Sequence, residues 1–155
     1  MVLKKQYGFT LVEVMVTVGV IAILAAIAAP AYLSQQRKGN RAEIINALSQ
    51  ISIEMNRCYS DNGGYTCCTN LTILPKVLNN PPFTDQGHYS IIITPNEAGT
   101  FNGCKVHQEF SVTATAVNDQ MNDLTCRTFT VDNFGNHEAR DNLATLQPSC
   151  WARQN

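Results

Sequence analysis

Charge is scarce in this chain: Asp, Glu, Lys and Arg make up only 15% of its 155 residues. The eleven basic residues face twelve acidic ones, for a formal charge of −1, and they cluster only at Lys4-Lys5 and at Arg37, Lys38 and Arg41. Binding nucleic acid through phosphate neutralisation needs clustered Lys or Arg. DNA is therefore a possible partner that overall charge does not support, and a local patch stays open. Also missing is the short Cys or His pairing of a zinc site, such as C-x2-C. Cys58, Cys67, Cys68, Cys104, Cys126 and Cys150, with His88, His107 and His137, offer one adjacent pair, Cys67-Cys68, which is poorly placed to ligate a single ion. No metal and no cofactor is expected. Nor is there a nucleophile beside an acid or base, and Asp119, Asp123 and Asp132 lie next to turns, where aspartates bond their own backbone. The histidines read as solvated loop or strand residues, and no enzymatic activity is predicted. Internal repeats are absent as well.

What the chain does have is Phe9–Ala29, 21 residues whose polar members are Thr10, Glu13 and Thr17. At ~1.5 Å per residue a helix of that length spans about 30 Å, the hydrocarbon thickness of a bilayer. Its left flank, residues 1–8, holds Lys4 and Lys5 and ends in the small residue Gly8. A secretory signal has its small-residue cleavage site after the apolar region. Here the processing-like junction lies before it, so cleavage would leave the apolar helix on the mature chain. Loss of both lysines would leave nine basic against twelve acidic side chains, or −3. Glu13 is the second feature: a carboxylate among apolar residues costs a few kcal/mol near the bilayer centre and calls for a cation.

The lysine flank stays cytoplasmic, so the C-terminal part faces out, into an oxidising compartment. Six cysteines beyond the apolar run then read as up to three disulfides. Pro30 removes one helical N–H, and a kink or local melting is expected there rather than a stop. From Arg41 to Met55 the residues Ile44, Ile45, Leu48, Ile51 and Met55 recur at helical spacing, which predicts one helix of about fifty residues with an apolar face in its second half. Residues 59–87, with Gly63-Gly64, Asn79-Asn80 and Pro81-Pro82, read as a long irregular connection. Strand signals follow at His88–Thr94, Glu109–Ala116 and Arg127–Asp132, joined through Pro95-Asn96 and Asn118-Asp119. Three such strands pair most simply as an antiparallel meander with one face covering the helix, an α+β fold. Asn70-Leu71-Thr72 is a formal glycosylation sequon.

Gly8-Phe9-Thr10-Leu11-Val12-Glu13-Val14-Met15, preceded by lysines and followed by Ala25 to Tyr32 with Pro30, resembles the prepilin signature of type IV pilins and pseudopilins. The resemblance implies that a membrane prepilin peptidase cuts between Gly8 and Phe9 and methylates the Phe9 amine. It also implies that Glu13 neutralises the amino terminus of a neighbouring subunit during assembly. A free amine and a carboxylate stranded in an apolar core each relieve the other's desolvation cost. The downstream half is similar to a pilin head, and Arg57-Cys58-Tyr59, Gly63-Gly64-Tyr65, Cys67, Cys126–Asp132, Gly135 and Cys150-Trp151 resemble PilE-type minor pilins.

The expected organisation is thus a cleaved leader 1–8, a transmembrane and assembly helix 9–29, and a head 30–155. That head continues the helix and adds an αβ loop (59–87), a sheet (88–132) and a C-terminal loop (126–150). Resemblance implies that a disulfide, Cys126 with Cys150, closes the C-terminal loop, with Trp151 packed against it. Cys58 is expected to pair with Cys67 or Cys68, leaving the other for Cys104. Expected partners are the peptidase, the inner membrane before assembly and other pilin subunits in a surface filament for adhesion, twitching motility or DNA uptake. The alternatives are a type II secretion pseudopilin and a DNA-binding competence pilin.

Overall fold

Helix α1, Leu11–Asn62, begins where Thr10 accepts a hydrogen bond at its Oγ1 from the Glu13 backbone N–H, 3.3 Å away. A threonine in that place satisfies one of the donors that a helix start leaves without a partner. The computed structural model describes residues 8–65, 68, 70–101 and 104–151, with backbone alone at 70–72, 76, 95–101 and 104–108. Lys4, Lys5 and Cys67 lie outside the described residues, as do the side chains of Asn70, Cys104 and His107. α1 continues through Pro30, which is no stop, and of the kink or local melting that the proline suggested, melting does not occur. One lost N–H bond is a small part of the ladder in a 52-residue helix. The helix stops at Gly63, whose φ of +69° suits glycine and whose N–H bonds the Tyr59 carbonyl at 2.8 Å.

The chain divides after Gln36 into two units. In the first, every described residue of 8–36 is exposed. The second, Arg37–Asn155, carries a core of its own. Ile44, Ala47, Leu48, Ile51 and Met55 of α1 are buried there, at the i, i+3, i+4, i+7, i+11 positions of one face, as an amphipathic helix requires. Ile45, one of the five expected core positions, packs only at the edge.

The sheet is a four-stranded antiparallel meander in the order β1-β2-β3-β4, formed by Tyr89–Phe101, Cys104–Ala116, Thr128–Asp132 and His137–Arg140. Its register explains the core. Ile91 lies opposite Ala114, Ala114 opposite Phe129, and Phe129 opposite Ala139, and all four are buried. Large and small side chains alternate along that row, and strand periodicity sends the residues between them to the other face.

Three boundaries differ from the sequence reading. Residues 59–87 are not wholly irregular, because α1 extends to Asn62 and a second helix, α2, spans Asn70–Val77. The Pro75 inside α2 hid that helix from a propensity reading. β1 and β2 are longer than expected, and Pro95-Asn96 is not a turn: Pro95 pairs with Phe110 and Asn96 with Glu109. β1 is an edge strand, where a residue without an N–H removes no ladder bond. Finally, the sheet does not end at Asp132, since β4 follows a turn at Gly135 (φ +81°).

Candidate assembly segment

The segment from Gly8 to Ala29 is apolar and wholly exposed, and the helix containing it is long and apolar enough to cross a membrane. Phe9 is 84% exposed and Leu11, Met15, Ile21, Ile23 and Ile27 are similarly bare. Nothing lies within 4 Å of a Cβ built on Gly8, and its φ is not left-handed. Neither space nor backbone conformation therefore requires a glycine at that position. Glu13 sits in the first turn of α1, where the helix dipole favours negative charge. Thr10 and Glu13 have the spacing of a capping box, but only the Thr10 half forms. Among the described residues the Glu13 carboxylate has no partner.

Where the head begins, a polar network locks α1 to the segment between β2 and β3. Arg41 reaches Asp123 with two bonds, Nε to Oδ2 at 2.7 Å and Nη2 to Oδ1 at 2.8 Å. Gln120, 1% exposed, lies on the short 3-10 helix Asn118–Asn122 and accepts from Asn40 Nδ2 at 3.0 Å. Its Nε2 donates to the Arg37 carbonyl, the Tyr89 hydroxyl and Asp123. Burial pushes the Tyr89 hydroxyl well above its ordinary range, although the Gln120 bond acts the other way. The sequence reading missed this network. It placed Arg41 in a basic collar and Asp123 in a self-bonded turn. Asp123 does accept from the Thr125 and Cys126 N–H groups, yet its main partner is Arg41.

Two disulfides close the described head: Cys58 with Cys68, and Cys126 with Cys150. Trp151 packs edge-on to Phe129, with centroids 5.5 Å apart, and against His137 at 4.6 Å. Asp132 accepts from the Phe134 and Asn136 N–H groups. Burial raises its affinity for a proton, but the Asn136, Phe134 and Gly135 bonds prevail and hold it below the usual carboxylate range. The backbone N–H of Thr145 does most to lower Asp141 in the same way.

His88 is not simply solvated. Its Nδ1 lies 2.9 Å from Glu43 Oε2, whose Oε1 accepts from the Gln86 N–H. This pair ties the entry to β1 onto α1, and among the described residues no hydroxyl or thiol bonds the other ring nitrogen. No group of three or more His, Cys, Asp or Glu among them could hold a metal ion.

A helix with a bare apolar first half, its second half packed on an antiparallel meander whose C-terminal segment is held by a disulfide, defines the type IV pilin class. Comparison with known proteins gives the family. Residues 30–130 match the profile described as "Type IV minor pilin ComP, DNA uptake sequence receptor", and residues 3–29 match the prokaryotic N-terminal methylation motif. The chain belongs to the ComP family of type IV minor pilins.

Among its relatives is prepilin peptidase-dependent protein D of Escherichia coli K12, 38% identical over 43% of this chain and 45% of that one. Another is the type IV pilus subunit protein TapA of Aeromonas hydrophila, 41% identical over 45% of this chain and 49% of that one. The chain thus spans about half the length of these relatives. The crystal structure of the Neisseria meningitidis non-core minor pilin PilV shares the fold, with a TM-score of 0.50, 17% identity, and coverage of 74% of this chain and 97% of that one.

Proposed function

We propose that this chain is a structural, non-enzymatic minor subunit of a type IV pilus. It enters the inner membrane as a single-pass precursor with its N-terminus cytoplasmic and its head outside. A prepilin peptidase cuts between Gly8 and Phe9 and methylates the new Phe9 amine. The apolar helix then moves from lipid into a bundle of other pilin subunits. That exchange trades one apolar surrounding for another, so packing and polar pairing must supply the selectivity. The observation that carries this reading is Glu13, an acid without a partner among the described residues, five positions after a glycine that nothing in the fold requires. Between subunits it meets the Phe9 amine of a neighbour.

Gly8→Glu tests the first step. Unprocessed precursor should accumulate in membranes of peptidase-positive cells, and mature-length protein at normal abundance would contradict the assignment.

A second reading, reception of DNA by the head, is favoured by the family match over residues 30–130. The head from Arg37 onward has nine basic and eleven acidic side chains, so its bulk charge of −2 opposes DNA and recognition would fall to a local patch. Anisotropy of labelled duplexes with residues 37–155 should show binding that weakens steeply with salt. A flat response down to low salt would exclude this role.

A further inference from the structure

Arg37 opens the head, and seven residues, 30–36, separate it from the apolar run that ends at Ala29. Seven residues reach at most roughly 25 Å even fully extended. The end of the head at Arg37 therefore stays near whatever membrane holds that run.

At this end the head carries exposed apolar side chains outside its buried polar network. The short 3-10 helix is bonded to the Arg37 carbonyl through Gln120, and it leaves Met121 and the following Leu124 exposed. The Arg127 guanidinium donates to the Met121 carbonyl at 3.0 Å. The Asn142 N–H donates to the Leu124 carbonyl at 3.1 Å, which brings Leu143, 79% exposed, to the same edge. Arg140 is held there through the Ala144 carbonyl. Isolated exposed apolar residues are ordinary, but a set brought together beside basic side chains marks an interaction surface.

Charge points to the partner. Arg37, Lys38 and Arg127 are counted against Asp119 and Asp141, while Arg41 and Asp123 cancel each other, as do Arg140 and Glu138 at 2.9 Å. The balance is +1, opposite in sign to the −2 of the whole head. Large apolar side chains beside Lys and Arg, on a chain tethered close by, suit an anionic lipid surface.

We propose that, before assembly, this edge of the head docks on anionic phospholipid. Met121, Leu124 and Leu143 enter the headgroup layer while Lys38, Arg37 and Arg127 meet lipid phosphates. Docking fixes the orientation of the head during its time as a precursor and is given up on extraction into the filament. This rests on the membrane-precursor reading above.

Hydrogen exchange of the full chain in nanodiscs of phosphatidylglycerol or of phosphatidylcholine tests it. Backbone amides of 121–127 and 141–146 should exchange roughly fivefold more slowly in the anionic discs, the factor that one basic residue at such a surface supplies. The double variant Leu124→Ser, Leu143→Ser should lose that protection and keep the slow exchange of β2 and β3. Equal rates in the two lipids, for a chain that stays bound to both discs, would overturn the docking and leave the precursor reading intact. Protection that follows the number of subunits per disc instead of the lipid would also overturn it, in favour of a second copy. Failure to enter either disc would overturn both readings.

Discussion

Arg41 and Asp123 face each other side by side, two hydrogen bonds joining guanidinium and carboxylate, with side-chain exposures of 11% and 3%. They are 82 residues apart in sequence. The pair therefore closes a long loop of the head, holding the first turns of its helix to the segment that precedes Cys126.

Removing one partner leaves a buried charge unpaired, which costs about 3 to 5 kcal/mol. Arg41→Ala should destabilise residues 37–155 by about that much in urea denaturation. The double variant Arg41→Met, Asp123→Leu should lose clearly less than the sum of the two single variants. Strict additivity would show that the two side chains do not act as a pair.

The Cys126–Cys150 bridge has a sequence separation of 24. Closing a loop of that size in the unfolded chain contributes about 3.5 kcal/mol. Cys126→Ser with Cys150→Ser should lower stability by about that amount. An unchanged denaturation midpoint would mean that β4 and Trp151 hold the C-terminal segment without the bridge.

Asp132 and Asp141 are both held below the ordinary carboxylate range, by bonds from their own turns. A depressed folded-state pKa gives stability that is present above the unfolded value, about 3.9, and is lost as pH falls through the folded one. The melting temperature of residues 37–155 should drop as pH is lowered below about 4, and Asp132→Asn should flatten part of that slope. A variant with the same acid slope as the parent would remove Asp132 from the explanation.

How far the fold could be read from sequence depended on whether a residue's partner was near or distant. The buried face Ile44, Leu48, Ile51, Met55 was legible because helical spacing alone specifies it, and the alternation Phe110, Val112, Ala114 marked β2 in the same way. β4 was not legible: His137-Glu138-Ala139-Arg140 has one core-facing residue, and it forms a strand because β3 offers a free edge. α2 was concealed by Pro75, and the outer arms of β1 and β2 by a proline that an edge strand tolerates. At the site, the N-terminal methylation motif matched over residues 3–29 was legible because it is local. The roles of Arg41, Gln120 and Asp123 were not, since no spacing rule joins residues 80 or more positions apart.

Glu13→Ala should be processed normally yet enter filaments poorly, because an unpaired amine would then be buried in an apolar bundle. Comparison of membrane and sheared-filament fractions, with the wild type as reference, measures this. Undiminished incorporation would show that the acid is dispensable for assembly.

The most direct measurement is the intact mass of this chain recovered from sheared pili. The expected species begins at Phe9, carries one added methyl group and retains the whole apolar run to Ala29. A chain that still holds residues 1–8, or one that has lost residues 9–29, would contradict the central claim that the apolar helix outlives the membrane and becomes part of the filament.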